Sequence, residues 1–406
     1  MRIAVFESLP PGGARRAAFD LGRYLAQRHE VDLYQLDVAA GRAFDLAPLV
    51  HSVYRYPFRP LAGLLDRRLR QGHNAPRSYV LFRPLQAVHR RMAEDIRSRG
   101  YEVVMAHTDP MTQAPYLLRW LGETPSLYYC QEVLRVRFEL PALTQHRHRL
   151  AQSRPPLGAL RVLEDRFVLP RLGAADLRSA SSASMIAVNS VYSRERVWAA
   201  YARTARVCPL GVDAARFQPA AGDRRFEVLS VGGPARAKGH DLVIGALARL
   251  PADRRPALRV IVPARSESAS LKSLASAGGV SLHVEERLDE ASLVERYQRS
   301  LVTVCAARLE PFGLTALESM ACATPVLAIE EAGYRDSVLH GETGFLVDPE
   351  PDGIAAGIAR LTGDPGLAAR LGRRGREWVE QHWSWERAGR RLEAVLEETA
   401  QLGRLA

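Results

Sequence analysis

Residues 309–319 read LEPFGLTALES, two glutamates with seven residues between them. Glu310 stands in a Pro-Phe-Gly segment that no helix interior accommodates, because proline lacks an amide hydrogen and clashes with the preceding turn. Glu318 falls inside the apolar-periodic run that follows. The stretch therefore reads as loop then helix, with Gly313, Leu314 and Thr315 in the first turn and the helix running through Met320. An apolar run at 302–306 just before it reads as a strand. A helix that starts where a strand ends turns free backbone N–H groups and a positive dipole end toward that edge, which suits a phosphate oxygen. On this reading Glu318 accepts from ribose hydroxyls, and Glu310 reaches a sugar on the other side of the phosphates. A dipole-favoured glutamate followed by a solvated one fits the spacing equally well, so the rest of the chain has to decide.

Outward from that segment the same alternation repeats. Strand patterns at 226–231, 258–262, 280–284 and 325–329 flank 302–306, with helical patterns between them. Earlier in the chain, strands at 3–6, 31–36, 103–106, 126–130 and 185–188 alternate with helices at 14–27, 112–121 and 194–201. Alternation of this kind calls for parallel sheets covered on both faces. The two series meet at PLGVDAARFQPAAGDRR, residues 209–225, a linker rich in Gly, Pro and Asp. The expected fold is α/β, with two doubly wound Rossmann-like domains facing a central cleft. Domain 1–210 comes first and domain 211–383 second, and 384–406 carries a last helix, at 385–399, that returns toward the first. The arginine-rich segment 59–99 has no clean period.

Composition supports this and narrows it. The chain has 406 residues, 47% hydrophobic and 25% charged, an ordinary globular balance at a length that favours two domains. No run of 18 apolar residues suggests a membrane span, and the start MRIAVFESLP is short and soon polar for a secretory leader, so a cytoplasmic location is expected. Cys130, Cys208, Cys305 and Cys322 lie far apart in apolar contexts and read as buried thiols, not as a metal site or disulfide framework. Residues 1–200 hold 29 Arg against 18 Asp and Glu, net +11, whereas 201–406 hold 27 basic against 27 acidic residues. Only two of the basic residues are lysines, Lys238 and Lys272.

Other stretches carry chemistry. In VLSVGGPARAKGHDL, 228–242, Gly232 and Gly233 end a strand and a helix follows from about Asp241. Lys238 would supply a point charge and Arg236 a bidentate fork to a diphosphate. Arg287 is a further donor-side candidate. LPPGGARRAA, 9–18, sets Gly12 and Gly13 at the equivalent turn of the first domain, with Arg16 on the helix after it. It lacks a full G-x-G-x-x-G, which argues against a dinucleotide cofactor. His107, directly after a strand, is a catalytic candidate at the cleft edge, and Glu132 and Arg135 in YYCQEVLR end the next strand on the same side. No Asp-x-Asp is present for a divalent cation.

Taken together these stretches resemble the retaining glycosyltransferases of family 4, which have the GT-B fold, over nearly the whole chain. The most specific part runs from Glu310 through ACATPVLAIEEAGYRDSVLHGETGFLVDP, 321–349; PLGVDAARFQP resembles the family's linker and GREWVEQHWSWERAGRRLEAVLEE, 375–398, its terminal crossing helix. The resemblance implies that Glu310 contacts the transferred sugar, that Glu318 holds the donor ribose, and that the amides of Phe312, Gly313, Leu314 and Thr315 meet sugar and phosphates. It implies front-face attack with the donor phosphate taking the acceptor proton, a nucleotide-diphosphate sugar as donor, and neither cofactor nor metal. Two positions depart from the pattern: Gly233 stands where the phosphate loop usually has arginine, with Arg236 as its substitute inside the loop, and Asp336 stands for the usual glutamate. A sugar or lipid-linked acceptor, anionic to suit the basic first half, and peripheral contact with the inner face of a membrane are expected, and nucleic acid is not. A sugar-nucleotide epimerase of the same fold and a catalytically degenerate protein binding anionic surfaces remain the alternatives.

Overall fold

The computed structural model describes residues 1–41, 43–58, 79–139, 157–233, 236–262 and 268–405. Part of the arginine-rich segment, 59–78, lies outside them. The chain divides into two compact units, Met1–Cys208 with Gly389–Ala406, and Pro209–Ala388.

The first unit is built on strands β1 (Arg2–Phe6), β2 (Glu30–Leu36), β3 (Ser52–Tyr56), β4 (Val103–His107), β5 (Ser126–Cys130), β6 (Met185–Val188) and β7 (Arg206–Val207). Their order is β3-β2-β1-β4-β5-β6-β7, every pair parallel. The central strands β4 and β5 are buried along their whole length, which is why VVMAH and SLYYC read as continuous apolar runs. Helices α1 (Gly13–Ala26), α2 (Tyr79–Ser98), α3 (Leu157–Ser182) and α4 (Val191–Tyr201) connect them. The sheet changes winding direction between β1 and β4, so its switch point lies at the carboxyl ends of those two strands.

The second unit has β8 (Arg225–Val231), β9 (Ala257–Val262), β10 (Leu282–Glu286), β11 (Ser300–Cys305), β12 (Val326–Ile329) and β13 (Gly344–Val347), ordered β10-β9-β8-β11-β12-β13 and again all parallel. Helices α5 (His240–Arg249), α6 (Ser268–Ala277), α7 (Glu290–Arg299), α8 (Leu314–Ala321), α9 (Pro351–Gly363) and α10 (Pro365–His382) cover it. Its switch point falls between β8 and β11. The last helix, α11 (Trp385–Leu405), begins in this unit and belongs from Gly389 onward to the first. There Glu393 receives the Tyr24 hydroxyl at 2.9 Å and meets His29 Nε2 at 2.7 Å. All four cysteines are buried and free. Among the described residues no helix is long and apolar enough to cross a membrane.

Three expectations need correcting. The helix expected at 112–121 is a turn followed by the short 3-10 helix Tyr116–Trp120. Asp109 Oδ1 accepts the N–H groups of Met111 and Thr112, a side-chain turn that competes with helix, and Pro115 is extended, with φ −61° and ψ 133°. The strand expected at 280–284 begins two residues later, because Gly279, at φ 62°, closes the preceding helix and Val280 N–H still bonds Ala275 O. Helix α11 continues to Leu405 instead of ending at 399.

Candidate active site

The donor-side residues converge at the second switch point because β8 and β11 are neighbours. Chain leaving β8 forms the glycine loop and a short turn, Arg236–Lys238, before α5, and chain leaving β11 forms the Glu310 loop before α8. The Arg308 N–H donates to Ala237 O at 2.8 Å, stitching the loops together. A side chain at Gly239, which has φ 71°, would run into the carbonyl oxygen of Ala306, so the close approach needs glycine there. The outcome is that Lys238 Nζ lies 2.7 Å from Glu310 Oε2, with side chains 39% and 20% exposed. Lys238, expected from the sequence at a phosphate, and Glu310, expected at a sugar, are thus paired with each other.

The Glu310 loop is over-determined. Leu309 holds a left-handed φ of 52°, rare for a side chain of its size. Its N–H donates to Glu331 Oε1 at 2.7 Å, and Arg308 Nε donates to the other oxygen of Glu331 at 2.7 Å. Glu310 O accepts the Gly333 N–H at 2.9 Å. Phe312, 2% exposed, packs against the Trp383 ring with centroids 5.6 Å apart, so its backbone, not its ring, is what this loop can offer a ligand. Gly313 caps α8 in the left-handed region, φ 93°, without a side-chain cap, and a Cβ there would meet the Tyr334 ring at 2.6 Å. Glu318, 6% exposed, accepts the Tyr297 hydroxyl at 2.7 Å. Burial together with the Glu318 charge pushes the Tyr297 pKa well above its ordinary value, so this tyrosine stays a donor. Gly232 packs against the stem of Lys238, and no described residue lies within 4 Å of where a Cβ on Gly233 would stand. The Arg236 side chain lies outside the described residues. Arg287, exposed and at φ 55°, follows β10, two strands from β8 and three from β11, about 10 Å and about 14 Å away across the sheet.

The first unit has its own carboxyl edge. Gly12 and Gly13 open α1 after β1, and Arg16 lies 3.9 Å from Asp20 and over the Phe44 ring. Arg15, not singled out from the sequence, is fully buried: it donates to the carbonyls of Leu9 and Ala39 and lies 3.6 Å from Glu7, fixing the loop between β1 and α1. Glu132 O accepts Gln113 Nε2, and Arg135 is bonded to Glu139 at 2.7 Å. His107 corrects an expectation. It ends β4, but its ring is completely enclosed, neither nitrogen has a partner among the described residues, and burial holds its pKa down at about 4. It offers no nitrogen to a ligand in this state. Glu331, Tyr297 and Trp383 are the supporting residues that the sequence did not mark. Glu331 lies in a loop already noted as polar, whereas nothing local distinguishes Tyr297.

Two all-parallel doubly wound units, each with its glycine loop at a switch point, define the GT-B class. Comparison with known proteins agrees. Residues 212–378 match the family model for glycosyl transferases group 1. A D-inositol 3-phosphate glycosyltransferase from Catenulispora acidiphila is 30% identical over 290 residues, 63% of this chain and 68% of that one. A GDP-mannose-dependent alpha-(1-6)-phosphatidylinositol monomannoside mannosyltransferase from Mycolicibacterium smegmatis is 30% identical over 253 residues, 56% of this chain and 66% of that one. A D-inositol 3-phosphate glycosyltransferase from Acidothermus cellulolyticus is 39% identical, but over only 42% of its length. In fold, sucrose-phosphate synthase from Thermosynechococcus elongatus superposes with a TM-score of 0.73 at 21% identity, covering 98% of each chain. Anabaena HepE in complex with UDP superposes at 0.71 with 17% identity, covering 98% of this chain and 100% of that one. The chain belongs to the glycosyl transferases group 1 family.

Proposed function

We propose that this chain transfers a glycosyl group from a nucleotide-diphosphate sugar to a hydroxyl of an anionic, phosphate-bearing acceptor, with retention at the anomeric carbon and without metal or bound cofactor. The observation that carries the reading is the Lys238–Glu310 pair beside the uncapped start of α8 at the second switch point. A half-exposed ion pair is worth up to about 1 kcal/mol. Charge-assisted bonds to a diphosphate are worth about 1.5 to 3 kcal/mol each, so an arriving donor takes Lys238 from Glu310. The released carboxylate then accepts from sugar hydroxyls, while Glu318, held by Tyr297, accepts from the ribose.

During transfer the bond from the anomeric carbon to the diphosphate oxygen breaks, and the acceptor oxygen bonds that carbon from the same face. The acceptor proton passes to the departing phosphate. Negative charge grows on the diphosphate, where Lys238, Arg236 and the N–H groups of Phe312 to Thr315 stabilise it without reorganising. Donor binding belongs to the second domain, 211–383, and acceptor binding to the first, 1–210, on the edge that carries Gly12, Gly13, Arg16, Glu132 and Arg135. The names of two relatives, which include phosphatidylinositol monomannoside and D-inositol 3-phosphate, support a phosphate-bearing acceptor. The setting is the cytoplasm, with peripheral contact at a membrane face.

The test is a panel of nucleotide sugars offered with inositol phosphate and phosphatidylinositol acceptors, with the product anomer read by NMR in the presence and absence of chelator. Transfer with retention, unaffected by chelator, is expected. Epimerised donor without transfer, an inverted product, or activity lost to chelator and restored by manganese would overturn it.

A further inference from the structure

Helix α3 mixes polarity on both of its sides. Its buried side carries Val168, Leu172, Ala175 and Ala180 together with Asp176 and Ser179, both fully enclosed; Asp176 accepts the Ala114 N–H and the Tyr201 hydroxyl, each at 2.9 Å. Its outer side carries Phe167, 55% exposed, and Leu177, 40% exposed. Pro170 and Ala174 lie between them and are also exposed, and spacings of three and four residues put all four on one side of the helix. Arg171 and Arg178 are exposed along the flank of that apolar strip, seven residues apart. From Arg166 to Ser182 the one acidic side chain is Asp176, and it is buried; Glu164 and Asp165 precede this stretch in the sequence of the same helix. Along the axis the band from Phe167 to Arg178 is about 17 Å long.

Single exposed apolar residues are ordinary on any surface. Here they are aligned, with arginines along one flank and no exposed acid among the described residues from Arg166 to Ser182, in a unit whose sequence holds 34 arginines against 21 acidic residues, net +13. The second unit holds 22 basic against 24 acidic residues, net −2. The adjoining helix α4 exposes Trp198 at 60%, three residues before the Tyr201 that reaches Asp176. Tryptophan and arginine are the side chains that settle at a headgroup boundary, the first with an amphipathic ring and the second with an apolar stem and a charged tip.

We propose that the outer face of α3, from Phe167 to Arg178, is a docking surface for an anionic lipid bilayer, lying in the plane of the headgroups with Phe167 and Leu177 inserted and Arg171 and Arg178 on lipid phosphates. This locates the membrane contact named in the proposed function and rests on that part of it, not on the transfer chemistry. Arginine near such a surface contributes about a fivefold gain in partition each, so two supply about twenty-five-fold, diminishing as salt screens them.

The experiment is co-sedimentation of the full chain with phosphatidylcholine vesicles, with and without phosphatidylglycerol, at rising ionic strength. Binding is expected only to the phosphatidylglycerol vesicles, with release by salt. Arg171→Gln with Arg178→Gln should weaken it at least about tenfold, and Phe167→Ser with Leu177→Ser should weaken it similarly at low salt. All four side chains are exposed, so the variants should keep the wild-type melting temperature. Binding left unchanged by both pairs, equal binding to neutral vesicles, or binding to duplex DNA in preference to vesicles would overturn the proposal. Transfer to a water-soluble acceptor should be unaltered in every variant. Loss of all transfer in the wild type would refute the proposed function and leave the vesicle result standing.

Discussion

Lys238 Nζ and Glu310 Oε2 lie 2.7 Å apart although 72 residues separate them in the chain. The pair sets up opposite outcomes for its two members. Lys238→Ala removes a charge-assisted bond to the diphosphate and is expected to weaken nucleoside diphosphate binding by about tenfold to a hundredfold, or 1.5 to 3 kcal/mol. Glu310→Gln removes the carboxylate that competes for Lys238, so the same nucleotide should bind equally well or severalfold tighter while turnover falls. Calorimetry with the diphosphate alone checks both. Weaker binding in Glu310→Gln would mean that this carboxylate does not compete for the lysine.

Tyr297 and Glu318 form a second pair that divides binding from folding. Glu318→Ala should weaken donor binding by about tenfold or more through the lost ribose contact. Tyr297→Phe keeps the carboxylate but removes its buried donor, at a cost of about 1 to 3 kcal/mol. It should lower unfolding free energy and loosen donor binding less than Glu318→Ala does. Equal losses of affinity in the two variants, measured beside urea denaturation curves, would mean that the tyrosine itself touches the donor.

How much of this was legible in the sequence depends on how local the cause is. The buried strands β1, β4, β5 and β12 read directly, because a strand covered on both faces is a run of apolar residues. Strand β3, with the sequence SVYRY and only partly buried, did not stand out. Helix α3 escaped because Asp176 and Ser179 face inward beside Val168 and Leu172 while Phe167 and Leu177 face outward, which weakens the period that would reveal it. The Glu310 loop announced itself through Pro311 and Gly313. Its pairing with Lys238 did not, since that depends on β8 and β11 becoming neighbours, and the hold of Glu331 on Arg308 and Leu309 depends on β12 lying beside β11. Sequence supplied the residue types at the second switch point, and strand order supplied their partners.

Stability of the first unit should fall on the acid side. Burial lowers the His107 pKa from 6.5 to about 4 and that of His89 to about 3, so both are neutral in the folded unit. The unfolded chain takes up protons at both below about pH 6.5, and stability therefore drops as pH falls from there toward 4. Asp109, pushed up from 3.8 to about 6 by burial, works the other way, since the folded unit keeps its proton below about pH 6. Two histidines against one carboxyl leave a net loss of a few kcal/mol. His107→Phe removes one of the two and two buried unpartnered nitrogens with it, so it should be no less stable at pH 7 and should shallow the acid limb. Denaturation midpoints from pH 7 to pH 4 check this, and an unchanged slope would refute it. Transfer activity should survive the substitution, because the enclosed ring reaches no ligand.

Gly233 provides the test of gain. It stands where the family's phosphate loop usually places an arginine, one residue after Gly232 and five before Lys238. Among the described residues nothing lies within 4 Å of where its Cβ would stand, and its φ is outside the left-handed region, so a side chain fits there without displacing a described neighbour. Gly232 differs: a Cβ there would stand 3.3 Å from Lys238 Cγ and Cδ, and Gly232→Ala should disturb the lysine and weaken binding. Gly233→Arg adds a guanidinium to a loop that already presents Lys238. Against its charge-assisted bond, at most about 3 kcal/mol, stands the cost of ordering an exposed side chain, about 2 kcal/mol. A gain of about threefold to tenfold in nucleoside diphosphate affinity is therefore expected, larger at low salt, with folding stability within about 0.5 kcal/mol of the parent. Gly233→Gln, which restores length without charge, should give little of it. If the arginine variant binds the diphosphate no tighter than the glutamine variant, the glycine loop does not face the phosphates, and the donor site must be rebuilt around the Glu310 loop alone.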